Sequence, residues 1–299
     1  MKMKVFIRKQ WLCFLICGCL AYCMVDAIFI EPYWIQVTRL SLGERPSLRV
    51  VHISDIHYKG DRSYLMRIVT MVNRLAPDAV CFTGDIVEES RYLDEALNIL
   101  GQMRVPLYGV PGNHEYWSGA SFDRIGKAFQ KTGGEWLVDR STVSAQGRLL
   151  IAGRSGTEIN TRQSESESAM PGPEMEWNPV FPIPPTAVTS QGTSGARLLG
   201  DGRSTLATPD AKRILLTHYP LDIENIKESR FDLILSGHSH GGQVRLPFLG
   251  ALIVPFGVNG YQLGVYPTPA GPLHVSAGLG TFFLPVRFLC RPEITLIEL

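Results

Sequence analysis

The chain has 299 residues, 45% of them hydrophobic and 19% charged, with a formal net charge of +1. That length suffices for one large domain or two small ones. The near balance of acidic and basic residues excludes a global field that would gather nucleic acid or acidic lipid, so the chemistry rests on local groups.

Lys2, Lys4, Arg8 and Lys9 open the chain, and Trp11 through Val25 then carries no charge. Asp26 interrupts, Ala27 to Ile30 resumes, and Glu31-Pro32 closes the run, because the residue before a proline resists the helical region. About twenty residues at ~1.5 Å rise each approach the ~30 Å of a hydrocarbon core. A cleaved signal peptide would show small residues at its cleavage site, and a buried core helix rarely carries so basic a flank. Residues 1–31 are therefore expected to form a single uncleaved N-terminal anchor at a bacterial cytoplasmic (inner) membrane, with residues 1–9 on the cytoplasmic side by their charge. Asp26 and the following Arg39, Arg45 and Arg49 suit a shallow interfacial helix as well as a full span, so no membrane face is assigned. Cys13, Cys17, Cys19 and Cys23 lie in this run, Cys81 in a strand-like run and Cys290 near the end, which is not a disulfide framework.

From Leu48 the pattern changes. Residues 48–53, 79–82 and 106–110 read as strands. Leu65, Ile68, Val69, Val72 and Leu75 predict a helix over 62–75, and further helices are expected over 90–102 and 121–131. Later strands are expected at 148–152, 213–217, 232–236, 273–277 and 293–298. Alternating strands and helices imply an α/β fold with a largely parallel sheet. Residues 158–209 break the rhythm as a long Pro/Ser/Gly-rich insertion, where Pro171, Pro173, Pro179, Pro182, Pro184 and Pro185 oppose regular structure. Trp177, Phe181 and Ile183 within it are read as tacking the loop to the body, or as covering an apolar ligand.

Short polar signals recur at the strand ends: Ser54-Asp55-Ile56-His57, Thr83-Gly84-Asp85, Gly112-Asn113-His114-Glu115, His218, and Gly237-His238-Ser239-His240. Asp55 and His57 stand two apart in an extended segment and can share a side, as can His238 and His240. Open α/β sheets bind their ligands at the carboxyl ends of the strands. Asp55, His57, Asp85, Asn113, His218, His238 and His240 are too many donors for one ion and suffice for two, with four each if Asp85 bridges. Two such ions clamp the attacking and leaving oxygens of an in-line displacement at phosphorus. His52, within a strand, and His274 are read as structural. Arg245 and Arg287 either grip a substrate phosphate or pair with a nearby acid.

The ordered run D-x-H, G-D, G-N-H-E, H, G-H-x-H resembles the calcineurin-like metallophosphoesterase family from about Leu48 to Leu299. The resemblance implies a two-sheet α/β sandwich flanked by helices, formed by residues 45–299. It implies that Asp55, His57, Asp85 and His240 hold one metal, and Asp85, Asn113, His218 and His238 the other. It also implies that His114 and Asp85 are catalytic, His114 acting on the leaving oxygen, with Glu115 in support. Two divalent ions are the expected cofactors, Mn²⁺ first, with Fe, Zn, Mg or Ni also accommodated by these donor types. Gly241-Gly242-Gln243-Val244-Arg245-Leu246-Pro247, Gly278-Leu279-Gly280 and Pro285-Val286-Arg287-Phe288 resemble the membrane-associated YaeI/YkuE-like branch, which includes enzymes similar to UDP-2,3-diacylglucosamine pyrophosphatases of lipid A synthesis. The expected activity is hydrolysis of a phosphodiester or pyrophosphate bond in a phosphorylated small molecule or lipid-linked substrate. The alternatives are a general phosphodiesterase on soluble nucleotides or phospholipids, and a non-catalytic binding module, which the complete ligand set disfavours. No nucleic acid and no obligate protein partner is expected.

Overall fold

The computed structural model describes residues 2–43, 46–144, 147–156, 207–226 and 230–299, without the side chains of 2–10 and of Asn225. The insertion expected over 158–209, with its three apolar residues, lies outside the described residues except for 207–209.

Two mixed six-stranded sheets form the body. The first has the order β1-β14-β2-β3-β4-β5, built from β1 (Gln36–Ser41), β2 (Arg49–Ile53), β3 (Ala79–Phe82), β4 (Leu107–Gly109), β5 (Glu135–Trp136) and β14 (Glu293–Glu298). The second has the order β12-β13-β9-β8-β7-β6, built from β6 (Arg140–Val143), β7 (Leu149–Arg154), β8 (Lys212–Thr217), β9 (Leu233–Ser236), β12 (Gly264–Thr268) and β13 (Gly271–Val275). A small hairpin, β10 (Arg245–Leu246) with β11 (Gly250–Ala251), stands apart. The largely parallel expectation holds for β2 to β5 and for β7, β8, β9 and β13, while β14 against β2, β12 against β13 and β6 against β7 are antiparallel.

Period-two alternation builds the layers. On β3, Ala79 and Cys81 join Val50, Ile214, Leu216 and Leu235 in the core between the sheets. Val80 and Phe82 point the other way, into a core closed by α2 (Arg62–Leu75), α3 (Leu93–Leu100) and α5 (Phe122–Lys131). Leu65, Ile68, Val69 and Val72 are the buried face of α2, as their spacing predicts. The Asp61 side chain caps its first turn by accepting from Tyr64 N, and Ala76 in the left-handed region ends it before Pro77. This is the two-sheet α/β sandwich flanked by helices that the resemblance implied.

The N-terminal helix α1 (Lys2–Val25) runs on through a wide turn at Asp26–Ile30 and a tight one at Glu31–Tyr33. Trp11–Tyr33, with a mean hydropathy of 2.3, is the only stretch among the described residues long and apolar enough to cross a membrane. Its last turns are fastened to the body: Arg287 N donates to Ala27 O at 2.9 Å, and the buried Glu31 carboxylate accepts from Leu289 N at 2.8 Å and from Cys290 N. Strand β1 follows at once and pairs in parallel with β14. Sequence reasoning gave residues 36–41 no element. All six cysteines are free thiols, as their placement implied.

Candidate metal centre

Each nominated donor sits where a strand ends. Asp55 and His57 follow β2, Asp85 follows β3, Asn113 opens the short helix α4 (Asn113–Trp117) after β4, His218 follows β8, and His238 and His240 follow β9. All seven are buried. The carboxyl ends of two sheets thus converge on one point, and the structure brings the seven nominated donors together.

The backbone at this point is strained. Asp55, His57, Asp85, His238 and His240 have φ of 51°, 44°, 62°, 65° and 49°. Left-handed backbone costs a non-glycine residue roughly 1–2 kcal/mol, and such strain gathers at functional sites. Cross-links between the loops hold it: Asp55 N donates to Gly84 O at 2.9 Å, His57 N to Asp85 O at 3.0 Å, and His238 N to the Asp55 carboxylate at 3.0 and 3.1 Å. Close approach requires glycine at two places. A Cβ on Gly237 would overlap Ser54 Oγ and the Asp55 carboxylate, and one on Gly112 would overlap Asp85 Oδ1.

Proton positions follow from the outer hydrogen bonds. His218 Nδ1 faces only an acceptor, Thr83 O at 2.7 Å, so it carries the hydrogen and leaves Nε2 with a lone pair. His238 Nε2 likewise donates to Phe256 O at 2.7 Å, leaving Nδ1 bare. Those two bare nitrogens lie 3.0 Å apart, with Asn113 Oδ1 2.9 Å and Asp85 Oδ2 3.5 Å from His218 Nε2. On the other side His57 Nδ1 donates to Glu88 at 2.9 Å, and its Nε2 faces His240 Nε2 at 3.0 Å and Asp85 Oδ2 at 3.3 Å. Asp55 Oδ1 stands 3.6 Å from His240 Nε2. Acceptors that face one another in a buried place need positive charge between them. The donor set therefore fits cations, and the outer partners that fix the tautomers of His57, His218 and His238 are the usual support for metal-binding histidines.

The titration directions carry the same message. Burial disfavours charge on His57, yet hydrogen bonds to Asp85 and Glu88 outweigh it and push the ring up to about 9. His218 is also raised, by Asp85 and Asp55 against its burial. Burial lowers His238 to about 3 and depresses His240 well below the usual range. Buried Asp85 is nonetheless held well below the ordinary carboxylate range, with His218 and His57 facing it.

Ligand atoms of Asp55, His57 and His240 lie within 4.8 Å of one another, and so do those of Asp85, His218 and His238. One oxygen, Asp85 Oδ2, faces His57 in the first group and His218 in the second. Beside them the His114 ring lines a cleft of ≈ 360 Å³ with Glu88, Glu89, Ser90, Trp117 and Ser118. His114 Nε2 has no hydrogen-bond partner among the described residues.

Two residues were not singled out by the sequence, or were given only a vague role. Glu88 holds His57 and lies 3.6 Å from His114 Nδ1; its position three residues after Asp85 is the signal available in the sequence. Glu115 accepts from Asp85 N at 2.8 Å, Ile86 N at 2.7 Å and Gly112 N at 2.7 Å, locking two site loops together. Burial and the nearby Asp85 push its carboxyl up to about 7. The two arginines bond backbone carbonyls. Fully buried Arg287 donates to the carbonyls of Gly280, Ala277 and Cys290, and Arg245 Nη1 donates to Gly241 O at 2.7 Å. Neither pairs with a carboxylate among the described residues. His52 and His274 are structural: they bond to each other across the two sheets, Nδ1 to Nδ1 at 3.0 Å.

A family model described as "Calcineurin-like phosphoesterase" matches residues 48–242. The chain is similar to the uncharacterized metallophosphoesterase YkuE of Bacillus subtilis, 27% identical and covering 91% of this chain and 88% of that protein. It is similar to the UDP-2,3-diacylglucosamine pyrophosphatase LpxG of Chlamydia trachomatis, at 26% identity, 92% of this chain and 92% of that protein. It also resembles a transmembrane protein with metallophosphoesterase domain of Danio rerio, 29% identical over 84% of this chain and 53% of that protein.

Proposed function

The chain belongs to the calcineurin-like phosphoesterase family and is a metal-dependent phosphohydrolase, and from that premise we propose that residues 45–299 hydrolyse a phosphodiester or pyrophosphate bond at a membrane where residues 1–31 anchor them. In this reading Asp55, His57, Asp85 and His240 hold one divalent cation, and Asp85, Asn113, His218 and His238 hold a second. The observation that carries it is the single oxygen, Asp85 Oδ2, 3.3 Å from His57 Nε2 and 3.5 Å from His218 Nε2. When bound, such a pair supplies Lewis acidity and an acidified water; Mn²⁺ is the preferred occupant, and the donors also suit Fe, Zn, Mg or Ni.

The remaining work falls to the chain's own groups. Glu88 fixes the His57 ring and places negative charge beside His114. His114 offers Nε2 to the departing oxygen and gives it a proton. Glu115 keeps the Asp85 and Asn113 loops in register. Burial of the donors keeps water from screening them.

For the substrate we favour a lipid-linked nucleotide such as UDP-2,3-diacylglucosamine, supported by the likeness to LpxG and by the apolar N-terminal helix. The purified chain with Mn²⁺ is expected to cleave a generic aryl phosphodiester and to release UMP from UDP-2,3-diacylglucosamine. Asp85→Ala is expected to lower turnover by about 10³-fold or more and to reduce bound metal from two equivalents. Unchanged turnover and metal content in that variant would reject the two-cation site. Failure on the lipid nucleotide alone would reject only the substrate.

A further inference from the structure

Beside the cation donors the chain exposes apolar side chains that no described residue covers. Residues 246–258 and 281–286 contain no charged residue. Within them Phe248, Leu249, Ile253, Phe256, Phe283 and Leu284 are each at least 57% exposed. Single exposed apolar residues are ordinary, but a continuous group of them marks an interaction surface.

Backbone contacts make the group continuous. The β10–β11 hairpin is tied to the second segment by Arg245 N donating to Phe288 O at 2.9 Å and by the Gln243 side chain, which bonds Phe282 O at 3.1 Å and Phe282 N. The inner edge reaches the site. The Phe282 ring lies 6.2, 6.0 and 6.1 Å from the rings of His57, His114 and His240, and Phe256 O accepts from His238. The outer edge reaches the turns that continue α1, through Arg287 N on Ala27 O and Leu289 N on Glu31. One apolar surface therefore runs from the last turns of the apolar helix to the rim of the cation donors. Arg287, the one cation within 281–290, is buried and turned onto carbonyls.

We infer that this surface enters the interfacial layer of the bilayer that α1 occupies, so that the site opens against the lipid headgroups and takes a phosphate carried on an amphiphile. The inference rests on the anchor reading above. Its occupant is a lipid surface, because the patch is continuous with the turns that end the membrane-length helix and its two segments carry no charge.

The test uses the full chain in phosphatidylcholine–phosphatidylglycerol vesicles, with Cys13, Cys17, Cys19 and Cys23 changed to alanine. An environment-sensitive fluorophore is placed at Phe248→Cys, Phe283→Cys, Leu15→Cys in α1, or Lys127→Cys on the remote helix α5, and acyl-brominated lipid is the quencher. Near-ultraviolet dichroism of each labelled chain checks the fold. Loss of emission at 248, 283 and 15, with none at 127, is the expected result. Quenching at 15 without quenching at 248 and 283 keeps the anchor and overturns the surface. No quenching at any position overturns both. Blue-shifted emission at 248 and 283 without quenching means that protein covers the patch, a second copy included, and also overturns the inference.

Discussion

Glu88 bonds His57 Nδ1 at 2.9 Å and stands 3.6 Å from His114 Nδ1, so one carboxylate orients the His57 ring and sets negative charge beside His114, the proton donor proposed above. Burial lowers the His114 pKa, and the Asp85 and Glu88 carboxylates oppose that loss. Separate outcomes are expected for the two residues. His114→Gln removes the proposed proton donor and should reduce kcat by about 10²- to 10⁴-fold, with both metal equivalents retained by elemental analysis. Glu88→Gln keeps a hydrogen-bond acceptor for His57 but loses the charge, and should cost only about tenfold, below the range for losing the proton donor itself. Metal loss in His114→Gln would show that this ring is a ligand. The seven donors were legible only together: singly they read as a turn residue, a helix cap or a packed histidine, but five strand tips in order carry them. Glu88 was not, because one of two adjacent acids ahead of a helix looks solvated until the chain folds back.

At the scale of elements, the loops carrying Asp85 and Asn113 depend on Glu115, whose carboxylate accepts three backbone N–H bonds. Glu115→Ala strands those buried donors at ~1–3 kcal/mol each. A stability loss of about 3 kcal/mol or more, read from the urea midpoint, and loss of metal binding are expected. An unchanged midpoint would deny it this role. Helix α2 and strand β3 were readable because their apolar residues recur at 3.6- and two-residue spacing over a buried face. Strands β1 and β12 were not: both alternate between half-buried and exposed positions, and their sequences Gln-Val-Thr-Arg-Leu-Ser and Gly-Val-Tyr-Pro-Thr carry little apolar signal. Helix α4, with five residues, is too short to show a period at all. Which strands join which sheet depends on pairings between distant residues, such as β1 with β14, and was not read from the sequence; the family resemblance supplied only the two-sheet sandwich.

Across the whole molecule a buried polar chain joins the two sheets. His274 on β13 meets His52 on β2 at 3.0 Å; His52 Nε2 meets Thr83 Oγ1 at 2.9 Å, and Thr83 donates to Ser54 Oγ at 2.7 Å. Since Thr83 donates onward, it accepts from His52 Nε2, so His52 Nδ1 accepts from His274, and both rings are neutral. Burial lowers both pKa values, that of His52 strongly, with His274 adding to it. Below about pH 6.5 the unfolded chain binds protons that the folded chain refuses, so stability falls as pH drops, by up to ~1.4 kcal/mol per unit for each ring. The double variant His52→Leu/His274→Leu should therefore lose about 2 kcal/mol less than the parent between pH 7.5 and 5.5, measured by urea unfolding. An equal loss would place the pH sensitivity elsewhere. Cations bound only by the folded chain add stability of the same order, ~2.7 kcal/mol per site at a hundredfold excess over Kd. Chelation should lower Tm by roughly 5 °C or more, and added Mn²⁺ should restore it. A melting curve indifferent to chelator would mean that no cation is held.

Only Trp34 and Ile35 separate the last helical turn from β1, and β1 lies beside β14 along its full length from Gln36 to Ser41. The link between rod and body has no slack. With α1 in a bilayer, the catalytic mouth cannot swing on a tether; it is carried at one height and one tilt, like a tool on a rigid stalk. Its reach is then a single layer of its own membrane, and any substrate has to arrive there by lateral diffusion or be delivered to that level.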